Sequence, residues 1–112
     1  MPPDVEAVAE QVFIALADST RRAILAALAS GGPATATDLA GRLPITRQAV
    51  AKHLAVLEDA NLVAVIWRGR EKLHYLNPVP INEIGERWIG KFERHRMQAL
   101  SDMKKALEAS NE

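Results

Sequence analysis

Residues 35–61 read TATDLAGRLPITRQAVAKHLAVLEDAN, and this stretch decides the fold. Thr35 with Asp38 three residues later resembles a capping box and opens a short helix that runs through Arg42, with Leu39 and Leu43 as its core anchors. Pro44 breaks the chain. Thr46 then caps a second helix whose inward row is Val50, Leu54 and Leu57, and Asn61 fits a left-handed cap at its far end. The outer face of that second helix carries Arg47, Gln48 and Lys52, with His53 at the edge of the buried row. Two short amphipathic helices joined by a tight Leu43-Pro44-Ile45 turn have the layout of a helix-turn-helix, in which one helix braces and the next is offered to a DNA groove.

Outward from this centre the periodicity stays clear. Val5, Val8, Val12, Phe13 and Leu16 predict a first amphipathic helix over about residues 5–17. Asp18 is placed to cap a second helix with Ile24, Leu25 and Leu28 as its buried stripe, ended by Gly31-Gly32-Pro33. Downstream, LVAVIW (residues 62–67) is β-branched and aromatic, Arg68-Gly69-Arg70 is a turn, and residues 71–76 return as a second strand. From Pro80 a long helix continues to about residue 109, with Ile81, Ile84, Trp88, Phe92, Leu100, Met103 and Leu107 along one interrupted stripe. The expected fold is mainly α with a small two-stranded β wing: a winged helix-turn-helix in the order α-α-α-α-β-β-α, forming a single DNA-binding domain over residues 1–112.

Composition narrows the classes open to it. With 112 residues, 48% hydrophobic and 25% charged, the chain falls among ordinary globular domains. Cysteine is absent, which excludes disulfides and thiolate metal or redox sites. The acidic N-terminus lacks the basic start of a signal peptide, and no run approaches the roughly 20 apolar residues of a membrane span, so a cytoplasmic location and no membrane partner are expected. The formal net charge is zero, yet residues 42–74 hold six cations (Arg42, Arg47, Lys52, Arg68, Arg70, Lys72) against three anions (Glu58, Asp59, Glu71). Distribution matters more here than the sum.

The residues expected at a DNA surface follow from their chemistry. Arg can bridge guanine O6 and N7, and Gln can bridge adenine N6 and N7, so Arg47 and Gln48 in the first helical turn suit base edges in the major groove. Lys52 suits a phosphate, as does Thr46, whose helix-start amides favour anions. His53 fits a phosphate contact and a half-buried local hydrogen bond equally well. Arg68, Arg70 and Lys72 flank Gly69 at the wing tip, where cations reach the adjacent minor groove or backbone. Arg21 and Arg22 are expected to pair with Asp18 or the body of the domain. Trp67 is expected to pack, and Trp88 and Phe92 to belong to core or dimer interface in preference to an effector pocket.

No catalytic residue, cofactor or metal site is expected. There is no glycine-rich phosphate loop and no Ser-centred elbow. His53, His74 and His95 are scattered, with no second histidine three or four positions away. Two alternatives of other classes remain open. One is a winged-helix protein-interaction module, which zero net charge would suit; the other is a sensor of this fold that responds to a small ligand or metal.

Length points beyond one chain. About thirty helical residues extend roughly 45 Å, more than so small a domain covers, and an apolar stripe of that length would form a large exposed patch. A second copy is the economical cover, so a homodimer joined through the terminal helices (about 5–17 and 80–109) is expected.

LADSTRRAILAAL, TDLAGRLPITRQAVAKHLAVLEDANLV and GREKLHYLNP, in this order and spacing, resemble the ArsR-type winged-helix transcription regulators over about residues 10–95. The resemblance implies a dimeric regulator, usually a repressor, that binds an imperfect DNA palindrome near a promoter. It implies recognition by Thr46, Arg47, Gln48, Lys52 and His53, a wing at Arg68, Arg70 and Lys72, and dimerisation through the terminal helices. Many relatives have proline where Ser19 stands. Metal-sensing relatives carry a cysteine pair in the helix corresponding to residues 35–42, or Asp/His ligands on the last helix; this chain has neither. LNPVPINEIGERWI resembles regulators often encoded beside a small lipid-transfer-like protein. No effector is implied.

Overall fold

The structure is a computed structural model and describes residues 5–110. Its elements are α1 (Val5–Leu16), α2 (Ser19–Gly31), α3 (Ala36–Arg42), α4 (Arg47–Asp59), β1 (Val63–Arg68), β2 (Glu71–Leu76) and α5 (Val79–Ser110). The order is the expected one, and each described element lies within two residues of its expected ends. Two compact units divide the chain, one up to Ile81 and the other from Asn82 onward. The first holds α1 to β2 and the start of α5; the second is the rest of α5.

Local chemistry accounts for the helix boundaries. Asp18 adopts an extended backbone and its Oδ1 accepts the Arg21 amide at 3.0 Å, starting α2. Thr35 and Asp38 form a full capping box: the Asp38 amide donates to Thr35 Oγ1 and the Thr35 amide donates to Asp38 Oδ2, each at 3.1 Å. Leu43 is extended (φ −120°, ψ 149°), as a residue before proline must be, which ends α3. The Ile45 amide then donates to the Leu43 carbonyl at 2.9 Å, closing a three-residue turn over Pro44. Thr46 Oγ1 accepts the Ala49 amide at 3.1 Å and starts α4.

The far end of α4 is as well defined. Asn61 has φ 61°, the Leu62 amide donates to Leu57 O and the Asn61 amide to Glu58 O, both at 2.9 Å. These two bonds make a Schellman motif, and its hydrophobic pair is Leu57 with Leu62, both fully buried. Leu62 therefore belongs to the cap, and β1 starts one residue later than the sequence pattern alone places it.

Ile24 and Leu28 of α2, Leu39 of α3, and Val50, Leu54 and Leu57 of α4 meet in one core, joined by Val12 and Ala15 of α1 and by Val63 and Leu73 of the hairpin. Phe13, expected within the α1 stripe, is 49% exposed, and Ile14 beside it is also exposed; the α1 stripe is too wide for α2 alone to cover. Arg21 and Arg22 meet the body of the domain through backbone oxygens rather than through Asp18. Arg21 Nε donates to Ala15 O at 2.7 Å and Nη2 to Ile14 O at 3.0 Å, while Arg22 Nη1 donates to Leu16 O at 2.6 Å. They satisfy the last carbonyls of α1, which have no partner in their own helix.

The hairpin pairs Val63 with Leu76 through to Arg68 with Glu71 in antiparallel register. Its two-residue loop has Gly69 at φ 61°, the first-position glycine of a type II′ turn. An isolated bridge adds Ala34 to the edge of β2: amide and carbonyl of His74 pair with those of Ala34, and the buried His74 ring also bonds Ala34 O at 3.1 Å.

The two capping carboxylates make folding sensitive to acid. Asp18 lies below the ordinary carboxylate range, held there first by the Arg21 amide; Asp38 is lowered first by the Thr35 amide and then by its hydroxyl. A group whose folded pKa is depressed contributes stability above its unfolded value and loses it as pH falls through the folded one. Thermal melts of wild type and of an Asp18→Asn/Asp38→Asn variant should therefore keep a constant gap from pH 7 to 5, which narrows below about pH 4. A gap unchanged down to pH 3 would show that the caps act without their charge.

Candidate nucleic-acid interface

Burial of Val50, Leu54 and Leu57 turns the opposite side of α4 outward. Thr46, Arg47, Gln48 and Lys52 are all exposed there, with Arg47 and Gln48 in the first turn and Lys52 one turn further on. Arg47 Nε donates to Thr37 Oγ1 of α3 at 3.0 Å, so the bracing helix steadies the first cation of the next. Among the described residues, Gln48 and Lys52 have no hydrogen bond or ion pair, and their polar ends remain available to a ligand.

His53 is placed differently. It is half-buried and its Nδ1 lies 3.5 Å from Arg21 Nη1, turned toward α2 and away from the exposed row. Of the two roles the sequence left open for it, the structure displays the local contact.

The three wing cations are also unlike one another. Arg68 is held by Glu71 at 3.0 Å, and Lys72 reaches back to Glu58 of α4 at 3.6 Å. Arg70, in the turn itself, has no ion pair among the described residues. A cleft of about 570 Å³ opens between α3, α4 and the hairpin, with Arg47 on one wall and Trp67, Arg70 and Lys72 on the other. Trp67 is 64% exposed and does not pack as expected. Alternation along β1 puts it on the side of buried Val63, but four residues further out, beyond the reach of the core. Thr37 carries no local sequence signal for its role, which depends on an arginine ten residues away.

Among the described residues no three His, Asp or Glu side chains come together as a metal-binding group, and no helix is long and apolar enough to cross a membrane.

A bracing helix, an outward-facing cationic helix and a hairpin beside it define a winged helix-turn-helix protein of the DNA-binding kind. Residues 16–66 match the family model described as "Helix-turn-helix domain". The chain is 42% identical over 86 residues to the uncharacterized HTH-type transcriptional regulator YuzN of Bacillus subtilis (strain 168), covering 71% of this chain and 94% of that protein. It is 34% identical over 73 residues to the arsenical resistance operon repressor of the same organism, covering 65% and 70%. A solved ArsR-like transcriptional regulator from Rhodococcus sp. RHA1 superposes with a TM-score of 0.74 at 34% identity, covering 92% of this chain and 93% of that one. The chain belongs to the ArsR family and is a DNA-binding transcription regulator.

Proposed function

We propose that the protein acts as a homodimeric, sequence-specific repressor of its own operon, located in the cytoplasm and binding an imperfect palindrome. The observation that carries sequence-specific contact is the open row Arg47, Gln48 and Lys52 on a helix whose other side is locked into the core. Arg47 and Gln48 would read base edges, while Thr46, Lys52 and Arg70 would meet phosphates. Arg68 and Lys72 would take part by exchanging a carboxylate partner for a phosphate. His53 would orient the helix through Arg21 and not touch DNA while that contact holds.

Repression is supported by the relative named as an operon repressor. Dimerisation is supported by apolar side chains left in water on both terminal helices, Phe13 and Ile14 on α1 and a longer series on α5. Two copies related by a two-fold axis would present their α4 helices to successive major grooves about 34 Å apart.

Fluorescence anisotropy with a labelled duplex from upstream of its own gene tests the assignment. Arg47→Ala should weaken binding by about 1–3 kcal/mol and relax preference at one base position. Affinity should also fall steeply with salt, because bound cations displace counterions from DNA. Equal retention of the upstream duplex and a scrambled one by the wild-type protein would overturn sequence-specific binding.

A further inference from the structure

We propose that the cleft between α4 and the hairpin seats one sugar–phosphate strand of the duplex, with the Trp67 indole packed on its deoxyriboses, Arg70 on a flanking phosphate, and Arg47 reaching past the strand to the base edges. This rests on the DNA-facing assignment of α4 and adds to it an apolar contact made by the wing.

Register fixes where Trp67 faces. It pairs with Lys72, so the two share a side of the hairpin, and the Lys72 ammonium reaches Glu58 of α4. Trp67 thus looks across the cleft toward α4, whose Ala51 and Leu54 also line it. Ile66 is exposed as well, at 55%, but alternation sends it to the opposite side. The two do not merge into the broad apolar patch that a protein partner would cover.

Charge then selects the occupant. The cleft walls contain Asp38, Glu58 and Glu71: Glu58 is paired with Lys72 and Glu71 with Arg68, while Asp38 keeps its charge and is turned to its own helix start by the Thr35 amide. Of the cleft's cations, that leaves Arg47 and Arg70 without an anionic partner among the described residues, one on each wall, with the indole on the same wall as Arg70. A purely anionic ligand has no use for the ring, and a hydrocarbon has none for the two guanidinium groups. A nucleic-acid strand supplies both, because phosphates alternate with apolar sugar faces along it. The geometry of groove binding agrees. Major and minor grooves are separated by one backbone strand, so a helix in the first and a hairpin over the second bracket that strand between them.

Three substitutions in the full-length protein test this by anisotropy over a range of salt. Trp67→Ala should weaken duplex binding about five- to tenfold while leaving the slope of log K against log salt unchanged, because no charge is lost. Trp67→Phe should recover most of that loss. Arg70→Ala should reduce the slope by about two, one for each copy in the dimer. The chain has two tryptophans, so a Trp88→Phe variant reports Trp67 alone, and its emission should change on adding duplex but not on adding a nucleoside monophosphate. Wild-type affinity in Trp67→Ala, or emission of the Trp88→Phe variant unaltered by duplex, would overturn the proposal and leave the α4 assignment standing. An emission change with the mononucleotide alone would overturn it in favour of a small-ligand site. Failure of the wild-type protein to bind any duplex would remove the DNA-facing assignment itself.

Discussion

Placing glutamate at both Phe92 and Leu100 is expected to leave a folded monomer at micromolar concentration that no longer retards operator DNA. Steps of three and four residues put Ile89, Phe92, Leu100, Met103 and Leu107 on one side of α5, and all are more than half exposed in a single chain. Arg96 lies on the same side and pairs only loosely with Glu93, at 4.0 Å. Burying a large apolar side chain contributes about 1.5–3 kcal/mol, so five per copy would supply ample drive for a two-chain interface. Each glutamate removes one such contribution and introduces a carboxylate whose burial is unfavourable unless it finds a partner. Since Phe92 and Leu100 are in water within one chain, the substitutions should leave the first unit folded, its melting lowered only by what the lost partner contributed. Sedimentation equilibrium checks the assembly state. A double variant that remains dimeric would show that α5 is not the interface.

Leu57→Ala is the substitution expected to harm the fold most. Its side chain is fully buried, anchors the last turn of α4 and closes the Schellman motif against Leu62. Leucine-to-alanine changes at such sites cost about 2–5 kcal/mol, by lost transfer energy plus the cavity left behind. Domains of this size hold only about 5–15 kcal/mol in all, and each kcal/mol lowers the midpoint by about 4–8 °C. The melting temperature should therefore fall by roughly 8–40 °C, with DNA binding lost as α4 frays. Val56→Ala, one residue earlier but 37% exposed, is the control and should lower it far less. Similar midpoints for the two variants would show that the end of α4 is not held as described.

Features made by near neighbours in the chain are written in the sequence; those made by distant ones are not. Caps were legible because they are made by residues three apart: Asp18 with Arg21, Thr35 with Asp38, Thr46 with Ala49. Proline at 44 and a positive-φ Asn61 are equally local, so the ends of α3 and α4 could be read directly. Buried rows at helical spacing, such as Val50, Leu54 and Leu57, were legible too, since a row that faces a core must repeat with the helix. Gly69 between two β-rich runs marked the hairpin and hence its register.

What the sequence determined by itself was thus the set of elements, their order, their caps and the outward row of α4. Only the tertiary structure decided which exposed-looking residues were tethered and which apolar ones were left bare. His53 meets Arg21 across 32 residues, Ala34 joins His74 across 40, and Lys72 finds Glu58 on another element. Trp67 shares the chemistry and alternation of a core residue, yet stands clear because the strand outruns the body beneath it. A side chain's spacing states which way it points, but whether anything lies in that direction depends on surfaces brought in by distant parts of the chain.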